Sequence, residues 1–314
     1  MSLLTRTTGF LCLLGLIAPW TASAEPPATL PTVAEHTYRM LARVRPMLFW
    51  INCDNVGGAK VSLSGDQKDK DNFGIELLIG SDPQRAPRQI NKWGYIAEEV
   101  RGGEARIVGV MKQSNEQSVA EAEKSIGAQQ GGYVFRAIQG TSSAHEARAG
   151  VTSVRSAKDL TYRDIGSLLD MVKSSGDQSE NRSVALPDGT QPGFLVALRD
   201  LVNRSVGAYR EQPGTKSLSG GTWKTPVPYV YFGKFYDLSL RGSQLLPATT
   251  IDGKAYTNVA RSDFEIRNRT TGETTKFQLT YGTTGALAGI PVHGVFQPRW
   301  FLEIQLFLDE RSQF

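Results

Sequence analysis

The sequence predicts an α+β fold: one large curved antiparallel β-sheet, half-barrel or barrel-like, with a few amphipathic helices packed on it. Three observations carry this expectation. Most of the chain alternates apolar and polar residues with period two, the mark of strands that bury one face. Two mid-chain segments instead space their apolar residues for a helical stripe. The order runs strands, helices, strands without regular βαβ repetition, which argues against a Rossmann-like parallel sheet.

The first segment reads as an address. Arg6 precedes the apolar run "GFLCLLGLIAPW", and Ala22 and Ala24 stand at the small-residue positions of a cleavage site. Residues 1–24 are therefore expected to be a secretory signal peptide, leaving residues 25–314 as a single exported domain, periplasmic or extracellular. After cleavage no segment approaches the roughly 20 apolar residues of a transmembrane helix. Removing residues 1–24 takes away Arg6 and no acid, so the formal charge of +4 becomes +3. Scattered bases near balance with acids form an ordinary solvated surface, and no nucleic-acid partner is expected. Cys53 alone remains, so no internal disulfide is expected and Cys53 should be a buried free thiol.

Taken in order, "LPTVAEHTYRMLARVRP" reads as a helix, with Thr32 and Glu35 at capping-box spacing and Pro46 ending it. "AKVSLS" and "FGIELLIG" alternate as strands, and "KWGYIAEEV" and "EARIVGVMK" pair across Gly102-Gly103. "SNEQSVAEAEKSIG" reads as a short helix, and "GYVFRAI" returns to strand. The stretch of about 114–210 is otherwise the helical part of the chain. "TYRDIGSLLDMVK" carries a Thr161/Asp164 cap, and "PGFLVALRDLVNRSVGAYRE" has its stripe at Phe194, Leu198, Leu201, Val202 and Tyr209. The polar stretches between and after these, 174–191 and 212–228, read as loops. From Pro228 onward every segment reads as strand, with "TTGE" as a hairpin turn. The last strand, within "QPRWFLEIQLFLDE", is expected to be long, about 11 residues or roughly 36 Å, with Trp300, Leu302, Ile304, Leu306 and Leu308 facing the core.

Motifs for familiar chemistry are incomplete. There is no G-x-S-x-G elbow. "HEARA" places Ala149 where a second zinc ligand would stand, and His36, His145 and His293 are far apart, so no metal site is expected. "DKDNFG" lacks the closing Glu of a calcium loop, and "GTTGALAG" has no Lys-Ser/Thr and no helix after it, so no cofactor is implied. Glu98 and Glu99 point to opposite faces of a strand, whereas Asp263 and Glu265 share one, the arrangement a carboxylate hydrolase would need.

Aromatic residues in strands stand out. Trp93, Tyr95, Tyr229, Tyr231, Phe301 and Phe307 are the candidate ligand-binding residues, lining an apolar surface that the two helices would cover. This arrangement is similar in architecture to exported half-barrel carriers of lipids and lipoproteins. The expected function is an exported, non-catalytic binding protein that holds a hydrophobic or amphipathic small molecule or lipid between sheet and helices. The rivals are a cell-envelope hydrolase acting on glycans or esters through carboxylates, and an outer-membrane β-barrel component, since Phe314 ends the chain after an alternating strand.

Overall fold

Alternation becomes strand along most of the chain. The computed structural model describes residues 30–45, 50–112, 133–174, 180–212, 214–218, 222–312 and 314. The first meander comprises β1 (Thr32–Val44), β2 (Ile51–Gly65), β3 (Asn72–Ser81), β4 (Trp93–Arg101), β5 (Glu104–Lys112), β6 (Tyr133–Ser142) and β7 (Glu146–Ser156). Helix α1 (Ile165–Ser174), strand β8 (Glu180–Ala185) and helix α2 (Phe194–Glu211) follow. The second meander comprises β9 (Ser217–Leu218), β10 (Val227–Tyr231), β11 (Lys234–Ile251), β12 (Lys254–Asn268), β13 (Thr274–Gly282), β14 (Pro291–Arg299) and β15 (Leu302–Leu308).

All these strands join one 15-stranded sheet, in the order β10-β11-β12-β13-β14-β15-β1-β2-β3-β4-β5-β6-β7-β8, with β9 paired only to β11. The two meanders are spliced in the middle, where β1 lies antiparallel to β15 with Tyr38 opposite Leu308 and Val44 opposite Leu302. The sheet is open, with β8 and β10 as its free edges. The two edges nevertheless approach each other. Gln191, just past β8, bridges to Tyr229 of β10: its N–H donates to Pro228 O at 2.8 Å, and its carbonyl accepts from Val230 N at 3.1 Å.

The sheet is rolled around α2. Ala197, Leu201, Val202 and Val206 of α2 pack on Leu238, Leu240, Phe264 and Tyr281 of one wall. Leu195 and Val196, at its start, pack on Phe73, Ile75, Val100 and Ala105 of the other. One helix thus joins clusters on β10–β13 and on β2–β5. Helix α1 lies on the opposite face of β3–β7, where Leu168 and Val172 meet Trp93, Val110 and Phe135. Its cap is as expected: Thr161 N–H and Oγ1 both donate to Asp164 Oδ2 at 2.8 Å. Strand positions that alternate with the inward residues carry charge, including Lys60, Arg39, Glu303 and Lys276. An apolar inside and a charged outside reverse the polarity of a membrane-spanning barrel.

Several sequence expectations are corrected. Residues 32–44 form β1 rather than a helix, because Tyr38, Met40 and Ala42 alternate and the strand is laddered on both sides by β2 and β15. The capping-box spacing there is outweighed by these long-range pairings. The expected loop 174–191 contains β8, an edge strand whose exposed polar side chains need no apolar face because it pairs on one side only. The expected loop 212–228 contributes the short β9. The stretch 114–210 carries two helices but also β6, β7 and β8. The expected helix at 114–127 and the signal peptide lie outside the described residues. Cys53 is free but half-buried rather than buried, packed beside Met40 and Val56.

The long last strand is also corrected. It breaks at Trp300-Phe301 into the β14–β15 hairpin, where Arg299 pairs with Leu302, and β15 spans seven residues. Its even face holds as expected from Ile304 onward: Ile304 and Leu306 pack against Met40 and Val56, and Leu308 against Tyr38. Trp300 leaves the core altogether, 63% exposed at the turn, while Phe301 is buried beneath it.

Candidate functional site

The two ends of α2 are held in different ways. Its N-cap residue is Gly193, in an extended conformation with no side chain to satisfy the first N–H groups of the helix. Glu98 of β4 takes that place from across the interior. Val196 N–H donates to Glu98 Oε2 at 2.9 Å, and the N–H groups of Phe194 and Leu195 point at the same carboxylate. A Cβ at Gly193 would collide with that carboxylate, so the glycine permits the approach. Farther along, Arg199 lies over the Phe73 ring at 3.7 Å and donates to Asp69 O at 2.8 Å. Toward the C-terminal end, a buried hydroxyl chain latches the helix to the sheet. Tyr209 OH meets Ser243 Oγ at 2.9 Å, Ser243 meets Ser262 at 2.7 Å, and Ser262 meets Tyr281 OH at 2.8 Å. Ser205 of α2 closes the chain on Tyr281. Every member is paired, so the network fixes the seating of α2 without leaving an unmatched hydroxyl.

Glu98 is wholly buried, and burial pushes its carboxyl up to about 7 despite the opposing pull of the α2 N–H groups. The folded protein therefore keeps a proton that the unfolded chain releases above its ordinary value of 4.5. Stability should be highest below that value, fall by up to about 3 kcal/mol as pH rises from 4.5 to about 7, and level off above. Urea midpoints at pH 5 and pH 8 measure this slope, and Glu98→Gln should flatten it.

The six aromatic residues singled out from the sequence are dispersed over three places. Trp93 and Tyr95 lie on the α1 side of the sheet, where Trp93 Nε1 donates to Leu160 O at 2.9 Å and stacks on Phe135 at 5.8 Å. Tyr229 and Tyr231 point inward from β10. Tyr229 stacks on Tyr236 at 5.2 Å, and the Tyr231 hydroxyl fills the space above Gly109. Phe301 is buried under Trp300 at the β14–β15 turn, and Phe307 lies between His293, at 4.7 Å, and the Arg39 guanidinium, at 5.2 Å. These residues do not converge on one surface, and the space between sheet and α2 is occupied by side-chain packing. The acids are engaged too: Glu99 pairs with Arg101, Asp263 accepts from Gln278 at 2.8 Å, and Glu265 pairs with Arg241.

A cleft of about 610 Å³ lies instead over β5–β8, a volume suited to a small-molecule ligand. Arg106, Thr141, Arg148 and Ser183 stand opposite one another across these four strands, so they share one face. Val108, Gln139, Gly150 and Asn181 form the next row of that face. Gly150 leaves the row without a side chain in the middle. Arg148 is engaged by Glu146 through Nε at 3.1 Å and Nη2 at 2.9 Å. Arg106 has no ion-pair partner among the described residues. The result is a floor in which Val108 and Gly150 alternate with Gln139 and Asn181, with the Arg106 guanidinium at its rim across from Glu99, whose carboxylate is taken by Arg101. No local pattern marks this place: β8 carries no apolar alternation and reads as loop, and Arg106 reads as one more surface base. The signal for Glu98 was present in "YIAEEV", where a lone acid occupies the inward row between Ile96 and Val100.

No family model matches this chain, and no curated protein does. Among solved structures, it is similar to a β-barrel-like protein of a domain of unknown function, DUF1849, from Brucella abortus. The two share 8% identity over 90% of this chain and 98% of that one, with a TM-score of 0.40.

Proposed function

We propose that this is an exported, non-catalytic binding protein for an amphipathic small molecule with an anionic head. The observation that supports this reading is the cleft over β5–β8, where unpaired Arg106 flanks a floor containing Val108 and Gly150. A carboxylate or phosphate head would take the guanidinium as a two-point donor, and Thr141 directly opposite adds a hydroxyl. The apolar part would lie along the strand floor. This moves the ligand from between sheet and helix, as expected from the aromatic residues, to the outer face of the sheet. The leader at residues 1–24 supports export, and the chain leaving the cell interior without those residues would agree with it.

Titration with a fluorescent fatty-acid probe tests the reading. The wild type should bind, and Arg106→Glu should weaken binding by roughly ten- to a hundredfold, the worth of one charge-assisted contact of about 1.5–3 kcal/mol. Arg106 is exposed, so the variant should melt as the wild type does. A wild type that binds no probe, or a variant that binds equally well, rejects the cleft as the site.

A further inference from the structure

One end of the rolled sheet differs from the rest of the surface. At that end β2, β1, β15 and β14 lie side by side, with Ile51 opposite Val44, Val44 opposite Leu302, and Leu302 opposite Arg299. Trp300 protrudes there at 63% exposure and Ile51 at 44%. Trp50 is adjacent, with the Arg43 guanidinium 5.2 Å over its ring. Large apolar side chains at the β14–β15 turn and at the start of β2 gain little from the core and stand exposed to water.

The charges around them have one sign in excess. Arg43 is matched by Glu303 at 2.9 Å. Arg45 and Arg299 have no ion-pair partner among the described residues, and Arg45 Nε is buried without any acceptor. The tip is rigidly joined to the sheet, since Arg45 N–H donates to Phe301 O at 2.8 Å and Phe301 is buried beneath Trp300. Tryptophan flanked by unpaired arginine matches the bilayer boundary, where indole rings sit at headgroup depth and guanidinium groups bind phosphate oxygens.

We infer that this end of the sheet, at the β14–β15 turn, docks the protein on an anionic phospholipid surface, with Trp300 entering the headgroup layer and Arg45 and Arg299 pairing with lipid phosphates. This is independent of the cleft over β5–β8 and stands or falls separately from it. A flat anionic surface fits better than a second copy of this chain, because an identical tip would bring unpaired arginines against arginines.

Vesicle co-sedimentation of the full chain tests the inference, with one set of vesicles of phosphatidylcholine alone and another containing a third phosphatidylglycerol. Binding should favour the anionic vesicles by at least tenfold and weaken steeply between low and high salt. Trp300→Ala should reduce it about tenfold, and Arg45→Glu with Arg299→Glu should abolish the preference for anionic lipid. Thermal melting of Trp300→Ala should match the wild type, because the side chain is exposed. Equal binding to both vesicle types, or binding that Trp300→Ala leaves unchanged, would overturn the inference. So would self-association that Trp300→Ala removes in the absence of any lipid binding, since that would assign this end of the sheet to a second copy.

Discussion

Glu98→Ala is expected to destabilise the protein by about 2–4 kcal/mol, and by more at pH 5 than at pH 8. Truncation removes the acceptor for the first N–H groups of α2 in a place water does not reach, where each unmatched group costs about 1–3 kcal/mol. It also opens a cavity between β4 and Gly193. The pH dependence follows from the raised carboxyl: the wild type is most stable while Glu98 is protonated, so at pH 5 the variant has more to lose. Glu98→Gln keeps an acceptor of the same shape and should cost far less. Denaturant unfolding of the three proteins at both pH values provides the comparison. A Glu98→Ala variant as stable as wild type would mean that α2 begins elsewhere or in contact with water.

Leu201→Ala should cost about 2–5 kcal/mol, and the loss should appear in the unfolding of the whole protein. Leu201 is fully buried at the middle of α2, in the cluster that includes Leu238, Phe264 and Tyr281. If α2 were a lid resting on a self-sufficient sheet, the variant would loosen the helix and leave the main unfolding transition in place. A single transition shifted to lower denaturant is the outcome that the rolled architecture requires.

Much of the fold was legible because period-two alternation records which face of a strand is buried. It places Ile304, Leu306 and Leu308 on one side, and that is where they lie. What alternation does not record is which strands become neighbours. The β1–β15 pairing joins residues some 270 positions apart, as in Tyr38 with Leu308, and no local pattern announces it. Without that splice, residues 32–44 present a plausible helix cap and no visible partner, and so read as helix. Edge strand β8 is missed for the opposite reason: with one partner and an exposed face it carries no apolar signature.

The candidate site was less legible still. Strand aromatics suggested a common lining, but a sheet has two faces and this one also curls. Trp93 and Tyr95 therefore serve α1, Tyr229 and Tyr231 face the interior, and Phe307 lies outside beside His293. Arg106 becomes notable only when β6, β7 and β8 are laid beside it, because the cleft it borders is made by strands distant in sequence, while Glu99 opposite it is engaged by Arg101. Glu98 is the intermediate case. Its inward position is readable from alternation, whereas its partner, a helix start capped by glycine, lies nearly a hundred residues downstream.

Helix α2 is lodged inside the rolled sheet as part of its core, and the ligand proposed above would then lie on the outer face. Native-state hydrogen exchange of the peptide covering residues 194–211 tests this most directly. The account predicts that its amides exchange as slowly as those of β12 and β13, through global unfolding only. Rapid exchange of the α2 amides while β12 and β13 stay protected would contradict it, and would return α2 to the role of a movable cover over an interior binding space.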